Sequence, residues 1–198
     1  MGDLNKDGYP DVAFIIQSLS TYPCDPESDS DATFSPRILG IALWDNAAKR
    51  FKLNIQSNEF VITNEGNPTM MDPFVSMEIK KGTLHFSFSY WYSMGSWYTS
   101  NQSFIFRFQN KRFELIGYEM SSLHRATHES TVLSVNYSTR KASSTHAEDV
   151  ESEAVAKWGT FSLQQLPTFA TSGSLESLSA PDIYWAYSFL SFASPKAL

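Results

Sequence analysis

Residues 75–91 read VSMEIKKGTLHFSFSYW. Apolar side chains alternate along both arms: Val75, Met77 and Ile79 on the first, Leu84, Phe86, Phe88 and Tyr90 on the second. A period of two is that of a half-buried strand, and Lys81-Gly82 supplies a tight turn between the arms. This is a β-hairpin. Residues 103–119, SFIFRFQNKRFELIGYE, repeat the pattern, with Phe104, Phe106 and Phe108 on one face and Asn110-Lys111 at the turn. Two hairpins this close in sequence, with no long helical period around them, predict an all-β chain.

The flanks agree. VAFIIQ (12–17) reads as a buried strand and RILGIALW (37–44) as a second. RFKLNIQ (50–56) alternates Phe51, Leu53 and Ile55 with polar neighbours, EFVITN (59–64) follows closely, and STVLSVNYST (130–139) is a further strand. Residues 18–36 carry prolines and acids and read as a long loop. ITNEGNPTMMDPF (62–74) is broken by Gly66, Pro68 and Pro73. The expectation is an antiparallel β-meander of about seven to nine strands, propeller-like or barrel-like, over residues 1–140. Residues 141–198 read as a loop-rich extension of the same single domain, rich in Ser, Ala and Glu. It would hold a short helix at Glu148 to Lys157, a strand at 158–166, a linker at 171–181 and an aromatic docking segment at 182–198.

Composition bounds the function. The 198 residues carry 15 Lys+Arg against 21 Asp+Glu, a net charge of −6. That sign disfavours nucleic acid and anionic lipid. No apolar run is long enough for a membrane helix. The single cysteine, Cys24, excludes an internal disulfide, and its acidic, proline-flanked setting is that of a free loop thiol rather than a nucleophile. No secretion signal is visible. No nucleophile elbow or phosphate loop is present in the sequence, so enzyme activity has no positive support. His124 and His128 are spaced as a helical zinc pair would be, but their flanks are strand and loop.

The chemistry lies in GDLNKDGYPDVAFII (2–16). Asp3, Asn5 and Asp7 alternate, Gly8 permits a sharp turn, and Asp11 closes the loop. Carboxylates this close repel unless a cation lies among them, and hard oxygen donors suit Ca²⁺ better than Mg²⁺. The expected ligands are Asp3, Asn5, Asp7, the Tyr9 carbonyl and Asp11. The competing reading is a metal-free polar turn built by Asx side chains. A second candidate is aromatic. SYWYSMGSWYTSNQSF (89–104) offers Trp91, Trp97 and Tyr98 as a platform for a glycan or protein partner; the competing reading is that one set of these rings fills the core and the other covers a sheet edge, since alternation sets Trp91 opposite Tyr90 and Tyr92.

The loop starts as an EF-hand does, but Phe14 stands where that motif needs a bidentate Glu, and a strand follows instead of a helix. DLNKDGYPDVAF (3–14) resembles the calcium loops of FG-GAP and VCBS-type repeats, known from integrin-like β-propellers and bacterial surface proteins. The resemblance ends with the following strand. A looser likeness runs through RILGIALW, EGNPTMMDPFVSMEIKKGTLHFSFSYWYSMGSW, FIFRFQNKRFELIGYE and SVNYSTRK to a group of uncharacterised bacterial secreted proteins or lipoproteins. It departs at Glu65-Gly66, where that group has Gly-Gly, and at Ser138-Thr139-Arg140-Lys141, where it has Leu-Thr-Gly-Lys. The likeness implies a periplasmic, cell-surface or secreted address and no known activity.

Overall fold

A computed structural model describes residues 1–24, 33–64 and 66–169. The linker and the aromatic segment expected beyond residue 170 lie outside the described residues. Among these the chain is all-β, with no helix. The strands are β1 (Val12–Gln17), β2 (Tyr22–Pro23), β3 (Thr33–Phe34), β4 (Arg37–Asp45), β5 (Arg50–Ser57), β6 (Phe74–Lys80), β7 (Thr83–Tyr90), β8 (Tyr98–Gln109), β9 (Arg112–His124), β10 (Ser130–Asn136), β11 (Lys141–Ala147) and β12 (Val155–Thr160). They form an antiparallel three-stranded sheet in the order β1-β4-β5, a seven-stranded meander running β6 to β12 in chain order, and the small β2-β3 ladder.

The two expected hairpins are present. Lys81 and Gly82 both have positive φ, 51° and 73°, as do Asn110 and Lys111, at 52° and 61°. Those are the left-handed conformations that a two-residue hairpin turn demands of both central residues. Leu84, Phe86, Phe88, Phe104 and Phe106 are buried on one face of the large sheet.

Three bulges shift the side-chain alternation. In β6 the register moves between Phe74 and Ser76, so Phe74 packs on the core and Val75 is exposed. In β9, opposite Ile105/Phe106, it skips Ile116, so that Phe113 and Leu115 face the same way as Tyr118. In β5, opposite Ile41/Ala42, it skips Asn54: Ile55 packs inward, while Phe51 and Leu53 lie on the outer face. β1 is only half-buried, contrary to the expected buried strand. Ala13 and Ile15 pack inward, whereas Phe14 and Ile16 are exposed on the same outer face.

The sheet continues past residue 140. β11 replaces part of the expected loop, because a strand whose inward side chains are Ala142 and Ser144 needs no large apolar residue to fill its place, and β12 covers the end of the expected helix and the start of the strand expected at 158–166. His146, expected in a loop, lies on β11 with Nδ1 3.2 Å from the Thr131 hydroxyl.

The core is centred on a residue outside any strand. Phe60 meets Phe86, Phe88, Phe104, Phe106 and Phe169 edge-on at centroid separations of 4.7–6.1 Å. Phe169 in turn stacks on Phe106 at 4.1 Å. Replacing Phe60 with Ala should cost about 3–5 kcal/mol, read as a lower denaturation midpoint.

Arg37 staples the sheets from below. This buried guanidinium pairs with both oxygens of Asp72, donates to the Ile62 carbonyl at 3.2 Å and to Gln17 Oε1 at 3.3 Å, and lies 5.6 Å from the Phe74 ring centroid. Burial works to raise the Asp72 pKa, but the bonds from Arg37 and the Phe74 N–H outweigh it and hold the carboxyl below its ordinary 3.8. A depressed folded-state pKa stabilises above the unfolded value and loses that contribution as pH falls through the folded one. Asp72→Asn should therefore be less stable than the native chain by a constant margin at about pH 5–7, and the margin should shrink below about pH 4. Denaturant melts across that range test it.

Candidate functional site

The N-terminal loop folds back on itself. Gly2 and Asp11 pair as an isolated antiparallel bridge, with Gly2 N–H to Asp11 O at 3.1 Å and the reverse bond at 2.9 Å. Lys6 (φ 63°) and Gly8 (φ 90°) take the left-handed conformations that let the eight residues between Gly2 and Asp11 turn so sharply.

Asp3, Asn5 and Asp7 come together. The Asp3 carboxylate accepts the N–H groups of Asp7 (3.2 Å) and Gly8 (3.0 Å). Asn5 Oδ1 accepts the Asp7 N–H at 3.0 Å, and Asn5 Nδ2 donates to Asp7 Oδ2 at 2.9 Å. Asp7 Oδ1 accepts the Tyr9 N–H at 2.9 Å. All three side chains therefore point into one exposed turn.

Asp11 is placed differently. It is fully buried. Its Oδ2 accepts the Leu4 N–H at 2.8 Å and the Asn5 N–H at 3.3 Å, and its Oδ1 accepts the Trp44 N–H at 2.9 Å. The carboxylate thus ties the loop to itself and to β4. Among the described residues no group of three or more His, Cys, Asp or Glu side chains is placed to hold a metal ion. The turn's side-chain oxygen donors are two carboxylates and the Asn5 amide. This donor set is hard and oxygen-only, and suits Ca²⁺ rather than a soft metal.

The loop also bridges the sheets. Leu4 is fully buried in the core. A Cβ on Gly2 would come within 2.7 Å of Ile79 Cγ2, and one on Gly82 within 3.3 Å of the Asp3 carbonyl oxygen. So the loop lies against β6 and the β6–β7 turn while Asp11 holds β4. Gly2 had no distinctive signal in the sequence; its requirement comes from contact with a strand 77 positions on.

The aromatic candidates lie at the other end of β7. Trp91, Trp97 and Tyr98 are exposed, and Tyr90 packs against the core. The structure adds His124 and Arg125 to them: His124 sits edge-on to Tyr98 at 4.8 Å, and Arg125 lies 5.4 Å from the Trp91 ring centroid. His124 and His128 lie in one turn. They close the tight turn after β9, with His124 Nδ1 accepting the Thr127 N–H at 3.1 Å and the His128 N–H donating to the His124 carbonyl at 2.8 Å. His85 is half-buried, 2.8 Å from the Thr83 hydroxyl. Cys24 is exposed.

No protein-family model, curated protein or solved structure matches this chain.

Asp11→Asn would set an amide N–H₂ against backbone N–H groups that need an acceptor. With chelator present throughout, it should lower stability by about 1–3 kcal/mol in chemical denaturation.

Proposed function

We propose that the chain is a calcium-stabilised structural or binding module whose N-terminal loop is rigidified by one Ca²⁺. The observation that carries this reading is the convergence of Asp3, Asn5 and Asp7 on one turn. Two carboxylates there face each other's negative charge, and a divalent cation relieves it. The Asp3, Asn5 and Asp7 side chains and the Tyr9 carbonyl would hold the ion. Asp11, which accepts three backbone N–H groups, anchors the loop rather than holding the ion. When bound, the ion supplies positive charge and fixed oxygen geometry to a loop that touches both sheets. The binding energy then adds to the stability of the fold by linkage.

Few charged ligands and an exposed turn make a weak site. Sites of that grade fill where calcium is about 10⁻⁴–10⁻³ M, as extracellular modules do. Together with the resemblance of residues 3–14 to FG-GAP and VCBS-type loops, this supports a periplasmic, cell-surface or secreted address. No helix among the described residues is long and apolar enough to cross a membrane.

Thermal melts test the proposal. Calcium at about a hundred times Kd adds about 2.7 kcal/mol, which for a chain of this length is a rise of about 5–10 °C over chelator. Asp7→Ala should abolish the rise, and equal melts with calcium and chelator would reject the reading.

A further inference from the structure

We propose that the open end of the seven-stranded sheet, at Trp91, Trp97, Tyr98, His124 and Arg125, binds a neutral oligosaccharide. This goes beyond the calcium reading and rests on different residues. The acidic loop packs against Gly82, before β7, whereas Trp91 follows β7; the eight residues of that strand span about 26 Å.

The cluster is an assembly of planar groups from two turns. From the β7–β8 connection come Trp91, 37% exposed, and Trp97, 65% exposed, followed by Tyr98 at 49%. From the end of β9 come His124 and Arg125. His124 lies 4.8 Å from Tyr98 and 6.3 Å from Trp97, centroid to centroid. Arg125 covers Trp91 and binds the facing turn through its main-chain N–H to the Trp97 carbonyl, at 2.8 Å, and through Nη2 to the Ser96 carbonyl. The two turns thus hold each other, and the rings are displayed on a braced support.

One donor in this assembly is unsatisfied. Arg125 Nε is buried and has no hydrogen-bond partner among the described residues. A buried donor without an acceptor is costly, and a ligand that supplies one recovers that cost. Polar groups continue from the rings. Strand register aligns Ser100, Ser122, Thr131 and His146 across β8 to β11, and alternation puts them on the face that carries Tyr98 and His124. Exposed ring planes, with an orphan N–H at Trp91 and a row of hydroxyls continuing from Tyr98 and His124, complement a pyranose, which presents an apolar C–H face and a rim of hydroxyls.

Arg125 brings one positive charge to the cluster, but four carboxylates follow β11 and the chain is net acidic, which favours a neutral sugar over a polyanion. The turn after β11 carries Glu148, Asp149, Glu151 and Glu153, and β11 ends opposite Ser130 at this same end of the sheet. These carboxylates oppose an acidic saccharide, and the chain's net charge of −6 opposes a nucleic acid.

The test is titration of the full chain with cellohexaose, chitohexaose, mannohexaose and xylohexaose, followed by tryptophan fluorescence and calorimetry, with calcium and with chelator. Polygalacturonate, a proline-rich peptide and single-stranded DNA are the competing probes. At least one neutral hexasaccharide should bind. Trp97→Ala should weaken binding about tenfold or more without lowering the melting temperature, and Arg125→Gln should weaken it similarly. Trp158→Ala, on the edge strand β12, should leave it unchanged. The proposal is overturned if no neutral hexasaccharide binds at millimolar concentration, if a competing probe binds in preference, or if binding survives Trp97→Ala. Should Arg125→Gln fail to fold, Trp97→Ala still decides. Sugar binding that persists in chelator separates this outcome from the fate of the calcium reading.

Discussion

The Asp11 carboxylate is the point on which the two ends of the structure's first half depend. It is a fully buried carboxylate with no Lys or Arg ion pair among the described residues; three backbone N–H groups hold it instead, from Leu4, Asn5 and Trp44. Hydrogen bonds to a charged acceptor are the stronger kind. They turn a short exposed loop into a fixed object. With the loop fixed, Leu4 enters the core and Gly2 reaches Ile79, and the three-stranded sheet is joined to the seven-stranded one. Arg37 makes the matching connection elsewhere with opposite charge, linking β1, β4 and the approach to β6 through Gln17, Ile62 and Asp72.

Much of the fold was legible in the residues because alternation is a direct consequence of the pleat. Leu84, Phe86 and Phe88 face inward as their spacing requires, and the turns at Lys81-Gly82 and Asn110-Lys111 are where dihedral preferences put them. What escaped was what a single unpaired residue changes. Val75, Ile116 and Asn54 each interrupt a ladder, and beyond each the pattern changes face. β11 escaped for a different reason: its serines and alanines carry little hydrophobic signal, and it is a strand because β10 and β12 pair with it. Phe60 gave no periodic signal because it acts alone, from a loop.

The candidate sites were legible to different degrees. The alternation of Asp3, Asn5 and Asp7 pointed to a loop of cation ligands; the three side chains do converge on one turn. Asp11 looked like their equal on spacing alone; its burial depends on Trp44, which no local pattern relates to it. The aromatic residues 91–98 stood out by composition. Their partners, His124 and Arg125, were hidden because the pairing of β8 with β9 is what brings them together.

The docking of Gly2 and Asp3 against Ile79 and Gly82 bears on how the chain matures during synthesis. The opening segment leaves the ribosome long before its counterpart on β6 and the following turn exists. Until then Leu4 has no apolar niche, and the acidic turn hangs from an unfinished sheet. Sequence-distant closures of this type come late, since the chain must surrender much freedom before any contact repays it. Residues 2–11 are therefore made well before Ile79 and Gly82 and settle only when those residues are in place.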